Sequence, residues 1–427
     1  MNRGYRIILK LAIVLALLVA AGIVAMAILG IDEDPPDDSD MQVTWAEIPE
    51  ADNALTYFNQ AAQKLYWPAE REKAEPLYAM LSGETWDDTL AREVLERNSD
   101  TLALFEKGMA CPQFQFPDPR KSIPEMKNWV RLARVLSLRA ASTFRSGKHQ
   151  QAFDQACQLV RFGYRCENGR GTGLATVLGA DVKGLGGERI RQMLPQAKIS
   201  PKNLQHIQEE IGACESNEKA FTDTIRAEYL FISPKVMELG APLAAERALT
   251  AANLMRPTCL LWTRFMYKPN ESARLLLDVY RAEVRNATRP YSEISHLPPP
   301  IVLNEKGVLR WWQIATAYAG GNALGRAYVA LAMPGSGAIA EMACKERVPT
   351  RATIVLVALK AYKAKTGRLP QSLTELVPEH LGAVPVDDMD GKPLRYSPEK
   401  KVLYSVGKDL ADDGGSKDKD IVFEIEF

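Results

Sequence analysis

The chain has 427 residues, 46% hydrophobic and 25% charged, an ordinary globular mix with room for two or three domains. Its 53 Lys and Arg balance 53 Asp and Glu, so there is no global basic field to gather nucleic acid, and that class of partner is excluded. The six cysteines form no C-x-x-C pair and no zinc spacing, which makes them small buried apolar residues first; outside the cytoplasm one or two disulfides could also form among them.

Arg3, Arg6 and Lys10 precede an uncharged run, Leu11 to Ile31, of 21 residues. As a helix it would reach about 31 Å, the thickness of a hydrocarbon core. Ala25-Met26-Ala27 fits a signal-peptidase site, but the run exceeds the ~7–15 residues of a cleaved apolar region. An uncleaved anchor is therefore expected, contacting the membrane through residues 7–31. The basic flank places the N-terminus in the cytoplasm and the bulk outside it, periplasmic on a bacterial inner membrane. "DEDPPDDSD", Asp32 to Asp40, reads as an extended acidic spacer within a 32–48 linker.

Residues 49–346 read as an irregular α-helical body. "ADNALTYFNQAAQKLYW" carries Ala54, Leu55, Phe58, Ala61, Ala62 and Leu65 at helical spacing, and "TWDDTLAREVLERNSDTLALFEKGM" repeats the theme. The segment from Ser122 to Cys166 holds two helices broken at Ser146-Gly147-Lys148, a tetratricopeptide-like hairpin without a recurring 34-residue period. "GTGLATVLGADVKGLGGERIRQML" does not fit a nucleotide loop, and its glycines suit close helix approach. Pro201 to about Glu238 continues helical. Arg289–Gly307 reads as a loop stiffened by three prolines, and helices resume at Trp311-Trp312.

Residues 347–427 change character. A helix is expected to start at Pro349 and stop at Gly367. Ile354 to Leu359 is apolar without interruption, so this helix should be covered on both sides and the tail docked on the body. "PLRYS", "VLYSV" and "IVFEI" read as three short strands. The last two flank a loop holding Asp409, Asp412, Asp413, Asp418 and Asp420. Hard cations take clustered carboxylate and carbonyl oxygens, and Asp409, Asp418 and Asp420 would converge at the neck of such a loop. The alternative is a solvated turn whose charge Lys408, Lys417 and Lys419 partly balance.

"KTGRLPQSLTELVP", "VPVDDMDGKPLRYS", "LYSVGKD" and "DDGG…DKDI" resemble, in order and spacing, the globular domain of the type II secretion major pseudopilin, the G protein. The resemblance covers about the last 80 residues. It implies a helix laid on a small antiparallel sheet, with structural calcium in the last loop; Asp409 and Asp420 match the family's loop aspartates best. Asp388-Met389 departs from the family's Pro-Trp, and Leu9 stands where a prepilin would need glutamate after Gly4-Tyr5. The chain should therefore not polymerise as a pilin. The whole layout resembles membrane-anchored bacterial envelope proteins to which no activity attaches.

His149, His206, His296 and His380 fall in no H-E-x-x-H, and no G-x-S-x-G occurs. His149 and His380 are expected to be exposed and unpartnered. The sequence thus points to a mostly α, membrane-anchored scaffold for a protein partner, ending in a calcium-stabilised pseudopilin-like α+β domain. A secretion-system accessory and an envelope hydrolase with its site in the helical body are the alternatives.

Overall fold

The computed structural model describes residues 3–68, 70–122, 125–216, 218–238, 264–295, 297–298, 321–332 and 336–427. His296, the proline run beyond Pro298 and Trp311-Trp312 lie outside them. Among the described residues the protein is mostly helical, with one small sheet. Its contacts divide it into two units: the described parts of 1–42, 229–283 and 296–337, and those of 43–228, 284–295 and 338–427.

In the first unit, helix α1 (Arg3–Leu29) contains a stretch, Arg6–Leu29, long and apolar enough to cross a membrane, and none of its most apolar window is buried. Ile7, Leu11, Leu15, Leu18 and Ile28 are all more than half exposed. Its far end is covered: Met26 packs beside Phe265, Met266 and Ala323. The acidic segment that follows is not the free spacer expected. Asp32 caps helix α11 (Pro269–Asn286), accepting from the Asn270 and Glu271 amides at 2.9 and 3.1 Å. Glu33 pairs with Arg274 at 2.5 Å and Asp40 with Arg281 at 2.6 Å. Asp38 accepts from the Tyr229 hydroxyl at 3.0 Å. The acids that suggested an extended spacer instead match arginines two helical turns apart on α11.

The second unit holds the helical body and the C-terminal module together. Asn53 caps α2 (Ala54–Lys64) and Asp87 caps α4 (Asp88–Arg97), each accepting first-turn amides. Between them lies α3 (Arg71–Ser82). The second helical stretch is two helices, not one: α4 stops and α5 (Ser99–Ala110) begins at Asn98. Fully buried Asn98 bonds both ways with the Tyr66 backbone and donates to the Val94 carbonyl, drawing the chain away from helical continuation. Helices α6 (Trp129–Arg145) and α7 (His149–Asn168) form the expected hairpin, with Gly147 at φ +82° in the turn.

Helix α8 (Gly173–Met193) packs along α7 more extensively than any other described pair. Interior glycine is disfavoured by roughly 1 kcal/mol relative to alanine, yet here it is what permits the crossing. A Cβ on Gly163 would sit 2.5 Å from the Gly179 carbonyl oxygen and from the Lys183 nitrogen; one on Gly179 would sit 2.7 Å from the Gly163 oxygen. Gly163→Val should therefore lower the stability of this unit by about 3 kcal/mol, read as a reduced urea midpoint; an unshifted midpoint would show that the helices can part without loss.

Helix α9 (Pro201–Gly212) starts at Ser200 with proline in its first turn, and α10 (Glu218–Glu238) follows. Helix α12 (Ala323–Ala332) belongs to the first unit, and α13 spans Ser336–Thr366. Pro349 therefore lies inside α13 rather than opening it, and the expected boundary at 346/347 falls within one helix. The cost of an interior proline, ~3 kcal/mol, is offset by the buried turn before it: Ile339, Ala340, Ala343, Cys344 and Val348 are all buried.

Strands β1 (Arg395–Ser397), β2 (Val402–Ser405) and β3 (Ile421–Glu424) form an antiparallel sheet in that order, with Tyr404 opposite Arg395 and Val422. One apolar cluster joins Val355, Val357 and Leu359 of α13, Leu403 and Ile425 of the sheet region, and Val160, Ile190 and Ile207 of α7, α8 and α9. The uninterrupted apolar run of α13 is thus covered on both sides, and the C-terminal module shares its core with the helical body.

Candidate functional site

The aspartate loop hangs between β2 and β3. Gly407 opens it at φ +68°, where a Cβ would meet the Lys419 carbonyl oxygen at 2.6 Å, so glycine closes the neck backbone to backbone. Of the three expected ligands only Asp420 is buried; Asp409 and Asp418 are exposed. Asp409 accepts from the Ala411 amide at 3.2 Å. One Asp420 oxygen, Oδ2, accepts from the Gly415 and Ser416 amides at 2.8 and 2.9 Å, and Gly415 takes φ +78°. The other, Oδ1, is buried without a hydrogen-bond partner.

Two loop aspartates outside the expected ligand set share the work. Asp412 accepts from the Tyr404 hydroxyl and the Gly414 amide, both at 3.0 Å. Asp413 takes Lys419 at 3.0 Å on one oxygen, and its Oδ2 is buried and unpartnered. Among the described residues no three His, Cys, Asp or Glu side chains form a group able to hold a metal by themselves. The two oxygens left without a partner, Asp413 Oδ2 and Asp420 Oδ1, are of the carboxylate type that hard cations take.

The loop rests on a second acidic cluster, in "VPVDDMDG". Asp387 is fully buried; it accepts from Ser405 Oγ at 2.8 Å, the Val406 amide at 3.1 Å, the Met389 amide at 3.0 Å and Arg395 at 2.7 Å. Arg395 also binds Asp390, whose hydrogen bond, ahead of the opposing burial, raises the guanidinium above its ordinary value. Asp388 is held by Arg347 and by Arg351, the latter at 2.8 Å, and Arg351 reaches Glu215 at 2.6 Å. The turn Tyr291–Glu293 docks on this segment through the Asp388 and Met389 carbonyls, at 2.8 and 2.9 Å. The Asp388-Met389 pair therefore has its own job: its acid clamps α13, and Met389 fills a buried cluster with Cys344, Val348 and Val406.

A third polar centre lies in the helical body. Lys183 of α8 sits 2.6 Å from Glu167 of α7 and 2.7 Å from Glu346 of α13. Ser216 bonds to Lys183, to Glu167 and, at 3.0 Å, to Glu346. The Lys183, Glu167 and Glu346 side chains are 1%, 0% and 5% exposed, so no dissolved substrate reaches them. Two carboxylates face one ammonium. Burial, against the pull of Lys183, pushes the Glu167 carboxyl up to about 7. Burial also opposes the Lys183 charge, but Glu346 and Glu167 outweigh it and raise its pKa. The network is a lock across three helices. Its sequence signal is Lys183 itself, a lone cation in a run of small and apolar residues.

His149 is more engaged than expected. His149 is half-buried, stacks on Phe144 with centroids 4.3 Å apart, and accepts the Lys198 amide at Nδ1 at 2.9 Å. His380 is half-buried, with Nε2 lacking a partner. Cys111, Cys157, Cys166, Cys214 and Cys344 are buried and unbridged; burial pushes Cys214 and Cys344 up to about 11, which makes them poor nucleophiles. Comparison with known proteins returns no matching family model, no matching curated protein and no matching solved structure.

Proposed function

We propose that the chain is a membrane-tethered extracytoplasmic scaffold that holds a protein partner and ends in a pseudopilin-like, calcium-stabilised module. The observation that carries this reading is the exposed apolar face of α1, which extends along nearly its whole length while its last turn is packed. Such a surface is sheltered by lipid. The helical body supports the scaffold role, because the Lys183 network is sealed inside and ties α7, α8 and α13 together. The α6–α7 hairpin supports a tetratricopeptide-like presentation. In the module, the orphaned oxygens of Asp413 and Asp420 support a bound calcium ion, and the order of α13, sheet and loop supports the pseudopilin comparison.

Alkaline carbonate extraction of bacterial membranes tests the tether. The intact chain should stay in the pellet with its first residues attached, while a chain lacking residues 1–31 should be soluble. A soluble mature chain beginning after Ala27 would replace the anchor by a signal sequence.

A further inference from the structure

The second unit contains a cleft of about 720 Å³, walled by the turn between α3 and α4, the α6–α7 turn and the end of α8. That volume lies in the range of ligand sites. Its charge is one-sided: Arg145, Arg189 and Lys198 line it against one carboxylate, the exposed Glu84. Among the described residues none of the three cations forms an ion pair with a carboxylate. The Arg145 guanidinium carbon lies over the Trp86 ring, 4.9 Å from its centroid, and Lys198 is exposed at the rim.

Arg189 is the telling member. It is 6% exposed, and its hydrogen bonds go to neutral acceptors, Ser137 Oγ and the Leu81 carbonyl, both at 3.1 Å. The second bond caps the C-terminus of α3, which offsets part of the charge. Burial still drives its pKa down to about 10, with only Glu188 opposing. A desolvated guanidinium lacking a carboxylate partner is costly, and an anion in the cleft removes that cost.

Other groups in the cleft narrow the chemistry. Gln192 donates to the Leu81 and Ser82 carbonyls and, at 3.1 Å, to the Glu188 carboxylate beside the cleft, and its buried Oε1 has no hydrogen-bond partner. Inorganic phosphate offers that acceptor little, whereas a peptide N–H satisfies it. Because His149 accepts at Nδ1, its neutral ring carries the proton on Nε2, a further donor in the lining. Gly83 and Gly147, at φ +88° and +82°, leave open space where a side chain would stand, so backbone at both turns is approachable. Trp86 and Phe144 supply apolar walls.

We infer that this cleft binds an acidic peptide segment of the partner protein, its carboxylates taken by Arg145, Arg189 and Lys198 and its backbone by Gln192. The inference rests on the scaffold reading for the nature of the ligand, and on the cleft alone for its charge.

The test uses the purified full chain in detergent and a fluorescein-labelled hexaglutamate peptide, with hexaglutamine and inorganic phosphate as comparison probes. Saturable anisotropy is expected with hexaglutamate only. Arg145→Glu with Lys198→Glu should weaken it at least about tenfold, and salt near 0.5 M should weaken the unaltered chain as well. Both residues are exposed, so the fold should persist; should melting fall, Arg145→Gln with Lys198→Gln reports the same loss in smaller measure. No saturable binding, equal binding of hexaglutamine, binding indifferent to both paired substitutions, or a site that takes phosphate and not peptide would overturn the inference. Because no membrane enters this assay, its failure would leave the tether standing, and a failed carbonate extraction would leave the cleft standing.

Discussion

Lys183→Met should cost the second unit about 3–5 kcal/mol, the penalty for stranding a buried charge. The substitution leaves Glu167 and Glu346 facing each other beside Ser216, with no ammonium between them. Glu167→Gln should be far milder, because it removes the surplus negative charge and keeps a hydrogen-bonding group. The pair also fixes a pH effect. Glu167 ionises near 4.5 when unfolded and near 7 when folded. Between those values the folded chain holds a proton that the unfolded chain has lost. This group's contribution is therefore greatest below 4.5 and declines as pH rises toward 7. Subtracting the stability of Glu167→Gln from that of the unaltered chain should give a difference that falls over this range. A flat difference, or a Lys183→Met chain as stable as its parent, would remove the lock from the account.

Asp387→Ala should be nearly as severe, at about 3–5 kcal/mol, and its effect should concentrate in the sheet. The buried carboxylate is the shared acceptor for Ser405 and Val406 at the end of β2, for Met389, and for Arg395 of β1. Its loss strands two amides and leaves Arg395 to Asp390, with Asp412 3.9 Å away. Amide exchange in β1–β3 should accelerate well before exchange in α7 and α8. Asp418→Ala, at an exposed position in the same module, should change stability by less than about 0.5 kcal/mol in chelator. If Asp387→Ala exchanges like its parent, the hub is not what holds the sheet.

The contrast between these acids shows what the sequence could convey. Periodicity marked α1, α2, the α6–α7 hairpin and all three strands, because each is specified by neighbours within a few residues. The glycines of α8 were readable as close packing, since an interior glycine needs a reason. The break at Asn98 and the passage of α13 through Pro349 were not readable, because burial overrode local preference at both. The Glu167, Ser216 and Glu346 partners of Lys183 come from three separate segments, and no spacing rule links them. The acids of Asp32–Asp40 looked like a solvated run because their arginines lie more than 200 residues away, on α11. In the last loop, five aspartates were visible as charge; which were turned inward depended on Gly407, Gly414 and Gly415.

The terminal module turns one unpartnered oxygen inward from each of Asp413 and Asp420, and a bound ion would stabilise it. The decisive measurement is a thermal melt of the full chain in detergent with calcium at about 1 mM and again in chelator, a concentration suited to extracytoplasmic calcium modules. Saturating the loop to about ten times its dissociation constant should raise the melting temperature by ~3–6 °C, and Asp420→Asn should abolish that rise. Superimposable curves with and without calcium would contradict the account and leave the aspartates as a solvated turn.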